Sequence, residues 1–167
     1  MKHSWPVLSL FILLVTPGWV GATDEASAAV DRYFDAYKAM DLEQMVLAYA
    51  PDAEFIDVLQ RHQVKGTDGL RELLGGLVAV HSEMGIEVQR SVVSGNLVAV
   101  DYLYRGTLSG EALKVVTGKE TCRDTSYRIP VTTWFEIRGG RIQRQTDFID
   151  LATLNEVKAE ASGVEAQ

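Results

Sequence analysis

The chain has 167 residues, a formal net charge of −7 and no run of Lys or Arg. The acidic balance argues against a surface for nucleic acid or anionic membranes, and the 47% hydrophobic content argues against disorder. The length suits one domain, and the single cysteine, Cys122, excludes an intramolecular disulfide.

The first 22 residues have the pattern of a signal peptide. An apolar run from Trp5 to Val15 is too short to span a bilayer comfortably, and the small residues Val20-Gly21-Ala22 follow it. We therefore predict cleavage after Ala22 and a secreted or periplasmic mature chain that keeps no membrane attachment; an uncleaved N-terminal anchor is the alternative. The predicted domain covers residues 23–160, and residues 161–167 form a predicted disordered tail.

Three helices are predicted in the first half of the chain, where apolar residues recur at intervals of three and four. They cover Asp24–Met40, Leu42–Tyr49 and Thr67 to about His81, with Asp41 and Thr67 as caps. Pro51 is expected to end the second helix, and the alternation in Glu54–Leu59 predicts a strand.

Period-two patterns dominate from Gly85 onward. The predicted strands are Ile86–Ser94, Leu97–Leu108, Tyr127–Ile137 and Arg141–Ile149, with turns at Gly95-Asn96 and Gly139-Gly140. Ser109–Asp124 is predicted to be a polar excursion between strands, and Leu151–Ala159 a short C-terminal helix.

The order of these elements predicts the fold class. Because helices come first and strands follow, we expect an α+β fold in which the three N-terminal helices pack on a strongly bent antiparallel sheet. Such a sheet wraps into a cone whose mouth can hold a small, largely apolar molecule.

Three segments of this pattern resemble the nuclear transport factor 2-like superfamily. Val30–Asp57 resembles its opening helices and first strand, Lys65–Leu74 its third helix, and Thr133–Leu154 its closing hairpin. That hairpin is similar to the version found in SnoaL-like polyketide cyclases and limonene epoxide hydrolases. The resemblance implies the cone-shaped fold, a homodimer, and a function among isomerases, dehydratases, cyclases, hydrolases and binding modules.

The resemblance also implies roles for individual residues. Against ketosteroid isomerase, Tyr33 falls at the oxyanion-hole tyrosine and Asp57 at the general-base aspartate. The second oxyanion donor of that family, a protonated aspartate, is replaced by Thr133.

The hydrolases and cyclases resemble this chain mainly at its closing strand. Asp147 matches one catalytic aspartate of limonene epoxide hydrolase, whereas the other two members of that catalytic set fall at Tyr102 and Tyr104. In the SnoaL-like cyclases, Asp147 lies where an acid is commonly used.

Each of these residues also has a plainer interpretation. Asp57 shares a strand face with apolar Phe55, which would desolvate its carboxylate and favour proton abstraction, or it ends its strand in water. Tyr33 either donates to an oxyanion or packs in the core. Asp147 shares a polar strand face with Gln145, which is typical of a solvent-facing surface, although the resemblance implies the inside. If Asp57 and Asp147 both face the cavity, they can split acid and base roles.

The candidates for lining a ligand pocket are aromatic residues and one histidine. They are Phe55, Tyr102, Tyr104, Trp134, Phe135 and His62, and each aromatic residue is alternatively a core residue. His81 is expected to end the third helix, and we expect neither a metal site nor a cofactor, since the two histidines of the mature chain lie far apart.

Two hypotheses follow. The first is a cofactor-free isomerase, cyclase or dehydratase that acts on a small apolar carbonyl compound, with Asp57 as base, Tyr33 as oxyanion donor and Asp147 as second acid or orienting group. The second is a non-catalytic module that binds a lipid-like or aromatic molecule in the same cone, or that mediates dimerisation.

Overall fold

The structure is a computed structural model that describes residues 22–163. The predicted signal peptide, apart from Ala22, and the last four residues lie outside the described part of the chain. The elements in chain order are α1 (Ala22–Lys38), α2 (Leu42–Leu47), β1 (Tyr49–Asp57), β2 (His62–Lys65), α3 (Gly66–Ala79), β3 (His81–Ser94), β4 (Leu97–Leu108), α4 (Gly110–Thr117), β5 (Thr125–Arg138), β6 (Arg141–Ile149) and α5 (Leu151–Ala161).

The six strands form one curved, unclosed sheet in the order β2-β1-β6-β5-β4-β3. All neighbouring pairs are antiparallel except β1 and β6, which run parallel. The predicted α+β class is confirmed, but the expectation of a fully antiparallel sheet is wrong at this pair. Strands far apart in sequence need no hairpin between them, so local turn signals could not set their relative direction.

The core lies between α1 and the inner face of the sheet. Tyr33, Phe34 and Tyr37 recur at helical spacing on α1 and are almost fully buried. The rings of Tyr33 and Phe34 lie 6.0 and 5.8 Å from the ring of Phe135 on β5, both in edge-on geometry. Phe135, a candidate for lining the ligand pocket, is therefore a core residue.

Element boundaries differ from the predicted ones around the first strand. Asp41 caps α2 by accepting a hydrogen bond from the Gln44 amide at 3.0 Å, but α2 ends at Leu47 and Pro51 lies inside β1. The register of β1 against β6 shifts between Tyr49 and Glu54, and a proline is tolerated in such an irregular stretch because the missing N–H leaves no broken ladder bond there.

The third helix begins differently from the prediction. The N-cap residue of α3 is Lys65, with no side-chain capping bond, whereas Thr67 lies inside the helix and donates to the Pro51 carbonyl oxygen at 3.4 Å. Hydrogen bonding to the neighbouring strand thus replaces the predicted cap.

Two short elements were not predicted. The segment from His62 to Lys65 pairs with β1 at the edge of the sheet, although Val64 alone among its residues is apolar. The polar excursion contains α4, which Ser109 caps and Gly118 ends with a φ of 69°. The strand depends on its pairing partner, so hydrophobic periodicity alone does not reveal it, whereas α4 has local signals in its Ser109 cap and its Gly118 end.

The predicted tail begins within ordered structure. Ala161 is the last residue of α5 and is buried, and its carbonyl oxygen accepts a hydrogen bond from the Arg123 amide at 3.0 Å. The Ser162 carbonyl oxygen accepts from the Thr121 hydroxyl at 2.7 Å. Residues 161–163 therefore pack against the segment that follows α4.

We expect Gly106→Ala to destabilise the protein by about 2 kcal/mol or more. A Cβ atom at Gly106 would overlap the Glu83 carbonyl oxygen of β3 and lie 2.9 Å from the Tyr127 hydroxyl, and the backbone oxygen cannot move aside. The matched control is Gly76→Ala in α3, where a Cβ meets nothing within 4 Å and should stabilise the helix by up to about 1 kcal/mol. Urea unfolding of both variants measures the two changes, and equal stabilities would contradict this account of the sheet.

Candidate active site

Two cavities lie side by side between the sheet and the helices. The inner cavity has a volume of about 140 Å³ and the outer cavity a volume of about 470 Å³. They share part of their walls, formed by Gln60, Leu77, Tyr104 and Ile149. A ligand that occupies the outer cavity is therefore adjacent to the inner one.

The carboxylates lie in the inner cavity. Its polar lining residues are Tyr33, Asp57, Gln60, His62, Tyr104 and Asp147. The outer cavity is lined mainly by aliphatic and aromatic side chains from α3, α4, α5, β4 and β5. The combination gives a polar end and a larger apolar end, as is typical of small-molecule sites.

The parallel pairing of β1 with β6 brings the two candidate aspartates together. Asp57 and Asp147 are register partners, so their side chains leave the sheet on the same face. Their exposed fractions are 2% and 1%, and both line the inner cavity. Both aspartates therefore face one cavity, which is the condition under which they can divide the acid and base roles.

Asp147 is held by a buried set of hydrogen bonds. Its Oδ1 accepts from the Thr133 hydroxyl at 2.7 Å and from the Gln145 side-chain amide at 2.9 Å, and its Oδ2 accepts from the same amide at 3.1 Å. Because Oδ1 has two good donors, Oδ2 is the oxygen better placed to carry a proton.

A second layer of hydroxyl groups orients these donors. The Tyr49 hydroxyl donates to Gln145 Oε1, and the Tyr102 hydroxyl lies 2.8 Å from Thr133 Oγ1. Since Thr133 gives its only proton to Asp147, Tyr102 must be the donor in the second bond. No buried side-chain nitrogen or oxygen in the described part of the chain lacks a partner, so the network is complete.

Burial raises the pKa of Asp147 from its ordinary value of 3.8 to about 7. The hydrogen bonds from Thr133 and Gln145 oppose this rise because they stabilise the charged form, and the negative charge of Asp57 adds to it. Near neutral pH, Asp147 is therefore divided between its protonated and ionised forms.

Asp57 is held at the end of β1 by Gln60. The Gln60 backbone amide donates to Asp57 Oδ1 at 2.9 Å, and its side-chain amide donates to Oδ2 at 2.6 Å. Each carboxylate oxygen keeps a lone pair that can accept a further proton. The carboxylate is thus fixed in place and still able to act as a base.

Tyr33 projects from α1 to the inner cavity and is almost fully buried. Desolvation by burial raises its pKa well above the usual value. The hydroxyl therefore keeps its proton and can donate to an oxygen in the cavity.

The predicted lining residues divide into two groups. Phe55, His62 and Tyr104 line the inner cavity, although His62 lies on strand β2 and not in the predicted loop. Tyr102 does not reach either cavity, because its hydroxyl is occupied with Thr133 and its ring packs 5.3 Å from that of Phe34.

Trp134 is placed on the other side of the sheet. Half of its surface is exposed, and its ring lies 6.0 Å from that of Phe148. Alternation along β5 explains this placement, since Thr133 and Phe135 on either side of it point inward. Trp134 is therefore not a lining residue of the cone, contrary to the expectation.

Two glutamines in the site, Gln60 and Gln145, have no strong signal in the sequence. The polar strand face of Gln145 is typical of a solvent-facing surface, yet Gln145 is fully buried and donates to both oxygens of Asp147. Gln60 lies in the turn after β1, where no helical or strand periodicity indicates a functional position. The only sequence signal for Gln145 was its position two residues before Asp147.

His81 begins β3 and lines the outer cavity. Its Nδ1 donates to the Leu77 carbonyl oxygen at 2.6 Å, and burial lowers its pKa, so it does not serve as the expected charged end of the third helix.

Over residues 22–163, no group of three or more His, Cys, Asp or Glu side chains is arranged to hold a metal ion. Nor does any helix in that range have the length and apolar content needed to cross a membrane.

We expect wild-type stability to fall between about pH 5 and pH 8 by roughly 2–3 kcal/mol more than that of Asp147→Asn. The folded protein binds the Asp147 proton more tightly than the unfolded chain does, because its pKa of about 7 exceeds 3.8. Raising the pH through this window therefore costs stability, and the asparagine variant, which cannot ionise, avoids that cost. Urea unfolding at several pH values measures the difference.

The matched control for this prediction is Asp101→Asn. Hydrogen bonds from Arg90 and Thr132 lower the pKa of Asp101, so its titration affects stability only as the pH falls to the ordinary aspartate pKa and below it. Between about pH 5 and pH 8 the slope for Asp101→Asn should match that of the wild type. Parallel curves for the wild type and Asp147→Asn would show that Asp147 does not bind a proton as proposed.

The solved structures similar to this one share its fold at low sequence identity. A putative SnoaL-like polyketide cyclase from Shewanella putrefaciens is 20% identical with a TM-score of 0.70, covering 81% of this chain and 97% of that chain. A hypothetical protein with a ketosteroid isomerase-like fold from Catenulispora acidiphila, in complex with trimethylamine, is 17% identical with a TM-score of 0.65, covering 82% and 93%. An LEH-like epoxide hydrolase from M. tuberculosis is 18% identical with a TM-score of 0.63, covering 83% and 92%.

Comparison at the level of sequence gives the family. No curated protein sequence matches the chain. A family model described as a SnoaL-like domain matches residues 30–145, which include α1 beyond its first turns, all of β1 to β5 and β6 as far as Gln145. The chain therefore belongs to the SnoaL-like domain family.

Proposed function

We propose that the protein is a cofactor-free enzyme that moves a proton next to a carbonyl group in a small, largely apolar molecule. The observation that carries this proposal is the pairing of Asp57 with Asp147 in one buried cavity. The SnoaL-like fold is consistent with isomerase, cyclase or epoxide hydrolase chemistry, and the arrangement of these carboxylates favours isomerisation, cyclisation or dehydration.

The first step assigns the base and one oxyanion donor. Asp57 accepts a proton from the carbon next to the carbonyl, and the electron pair of that C–H bond forms the C=C bond of an enolate. The carbonyl π pair moves to oxygen, where the Tyr33 hydroxyl donates to the developing charge. The raised pKa of Tyr33 suits this role because the hydroxyl must remain protonated to donate.

Asp147 supplies the acid in the second step. With a pKa of about 7, it can give a proton to another atom of the enolate near neutral pH. Thr133 and Gln145 then stabilise the carboxylate that is left. Transfer of a proton from Asp57 to Asp147, through the product or water, restores the starting state of both residues.

The outer cavity defines the remaining part of the substrate. Its volume of about 470 Å³ and its aliphatic wall suit an apolar body, while the reacting carbonyl reaches the inner cavity. The trimethylamine complex of the Catenulispora acidiphila protein supports the binding of small molecules by this fold.

We expect the wild type to catalyse exchange of α-protons for deuterium in one or more members of a panel of small apolar ketones. Asp57→Asn should lower the exchange rate at least about 100-fold, because the amide cannot accept the proton. Loss of α-proton signals in D₂O, followed by NMR, measures the rate, and circular dichroism checks that the variant is folded.

The control for this experiment is Asp52→Asn, which makes the same substitution at an exposed position of the same strand, β1. It should exchange at the wild-type rate. Equal rates in the wild type and Asp57→Asn would remove Asp57 as the base.

A second candidate function is binding without catalysis. The size and apolar wall of the outer cavity favour it, since a lipid-like or aromatic molecule can be held there without any contact to the carboxylates. Native mass spectrometry of the exported protein is the test: an unmodified co-purified molecule is expected under this alternative. The same spectrum tests two further proposals from the sequence, a homodimer and cleavage after Ala22. The mass of a monomer would contradict the first proposal, and the mass of an uncleaved chain would contradict the second.

A further inference from the structure

In the proposed mechanism, Tyr33 is the single oxyanion donor. The residue at the position of the second donor, Thr133, is fully buried and gives its proton to Asp147. A hydroxyl has one proton, so Thr133 has none to offer a substrate oxygen. An enolate formed by Asp57 would therefore depend on Tyr33 alone, unless another donor faces the inner cavity.

Gln60 is placed to be that donor. It lines both cavities, at the point where the polar end meets the apolar end. Its side-chain nitrogen carries two N–H groups, and the structure gives that nitrogen one acceptor among the described residues, Asp57 Oδ2 at 2.6 Å. The second N–H is therefore available to a ligand in the shared part of the cavities.

Lys158 fixes the orientation of this amide. Its Nζ, from α5, donates to Gln60 Oε1 at 3.1 Å. An ammonium group only donates, so the oxygen of the amide must face Lys158 and the nitrogen must face Asp57. The C-terminal helix thus reinforces the orientation that the Asp57 carboxylate also requires, with the amide nitrogen toward the base.

We propose that Gln60 is the second oxyanion donor of the site and that Lys158 is the residue that positions it. One N–H of Gln60 holds the Asp57 carboxylate, and the other donates to the carbonyl oxygen of the substrate. When Asp57 takes the α-proton, the C–H pair becomes the C=C bond and the carbonyl π pair moves to the oxygen held by Tyr33 and Gln60. No other reactant is needed for this step.

The geometry narrows the substrate class. The carbonyl oxygen must lie at the junction of the cavities, beside Gln60, while the α-carbon faces Asp57. The apolar body then extends into the outer cavity. The substrate is accordingly a ketone or enone with a reacting carbonyl near one end and an apolar remainder that fits about 470 Å³.

The test measures oxyanion binding and does not require turnover. The parent is Asp57→Asn, whose neutral amide mimics the base after it has taken a proton. The probes are 2,4-dinitrophenolate and its analogue without the oxygen, 1,3-dinitrobenzene, titrated near pH 5, because loss of the Asp57 charge lowers the pKa of Asp147 from its wild-type value of about 7. We expect the parent to prefer the phenolate.

Adding Gln60→Met to this parent should weaken phenolate binding about tenfold or more, because a hydrogen bond to a charged oxygen is lost. Binding of dinitrobenzene should change less than about twofold, since Met keeps the length and apolar stem of Gln. The control is Gln63→Met on β2, which is exposed and should leave both affinities unchanged. No phenolate preference in the parent, or equal losses for both probes, overturns the proposal.

A double-mutant cycle tests the part played by Lys158. If Lys158 acts through Gln60, Lys158→Met should weaken phenolate binding in the parent but add little once Gln60→Met is present. Additive losses would show that Lys158 attracts the anion directly. This inference rests on the proposed function for its chemistry, but the two fail separately: absent deuterium exchange refutes the enzyme, whereas unchanged phenolate affinity refutes Gln60.

Discussion

The parallel pairing of β1 with β6 is the constraint on which the site depends. It sets Asp57 beside Asp147 on the inner face of the sheet, where neither carboxylate reaches bulk water. Burial and the negative charge of Asp57 both raise the pKa of Asp147. The neighbouring polar groups compensate for the lost hydration by donating hydrogen bonds to the two carboxylates.

Each aspartate has its own set of partners. Gln145 and Thr133 stabilise Asp147 from within the sheet, whereas Gln60 stabilises Asp57 from the turn after β1. The donors of Asp147 are in turn oriented by tyrosine hydroxyls, so its network is complete inside the core. Asp57 depends instead on Gln60, whose side chain is exposed and lines both cavities. This difference in supporting structure is the physical basis for giving the carboxylates different roles.

The structure shows what Tyr102 and Tyr104 do at two positions where the sequence departs from a related catalytic set. Tyr102 falls where the limonene epoxide hydrolase set has a catalytic residue, yet here it donates to Thr133 and never meets the cavity. Tyr104, two residues further along β4, stacks on Tyr37 with ring centroids 5.2 Å apart and forms part of the wall between the cavities. Of these two tyrosines, Tyr102 therefore supports Thr133, and Tyr104 shapes the cavities.

Much of the fold was determined by sequence alone, because hydrophobic periodicity and turn residues act locally. The stripe that includes Tyr33 specified α1, and Gly95-Asn96 joined β3 to β4 as predicted. The sequence could not determine the relation of β1 to β6, the short strand at His62 or the inward position of Gln145, since each depends on a partner distant along the chain. Only the tertiary structure therefore decided that two aspartates 90 residues apart share one cavity, and that a glutamine from a turn and a lysine from the last helix meet beside them.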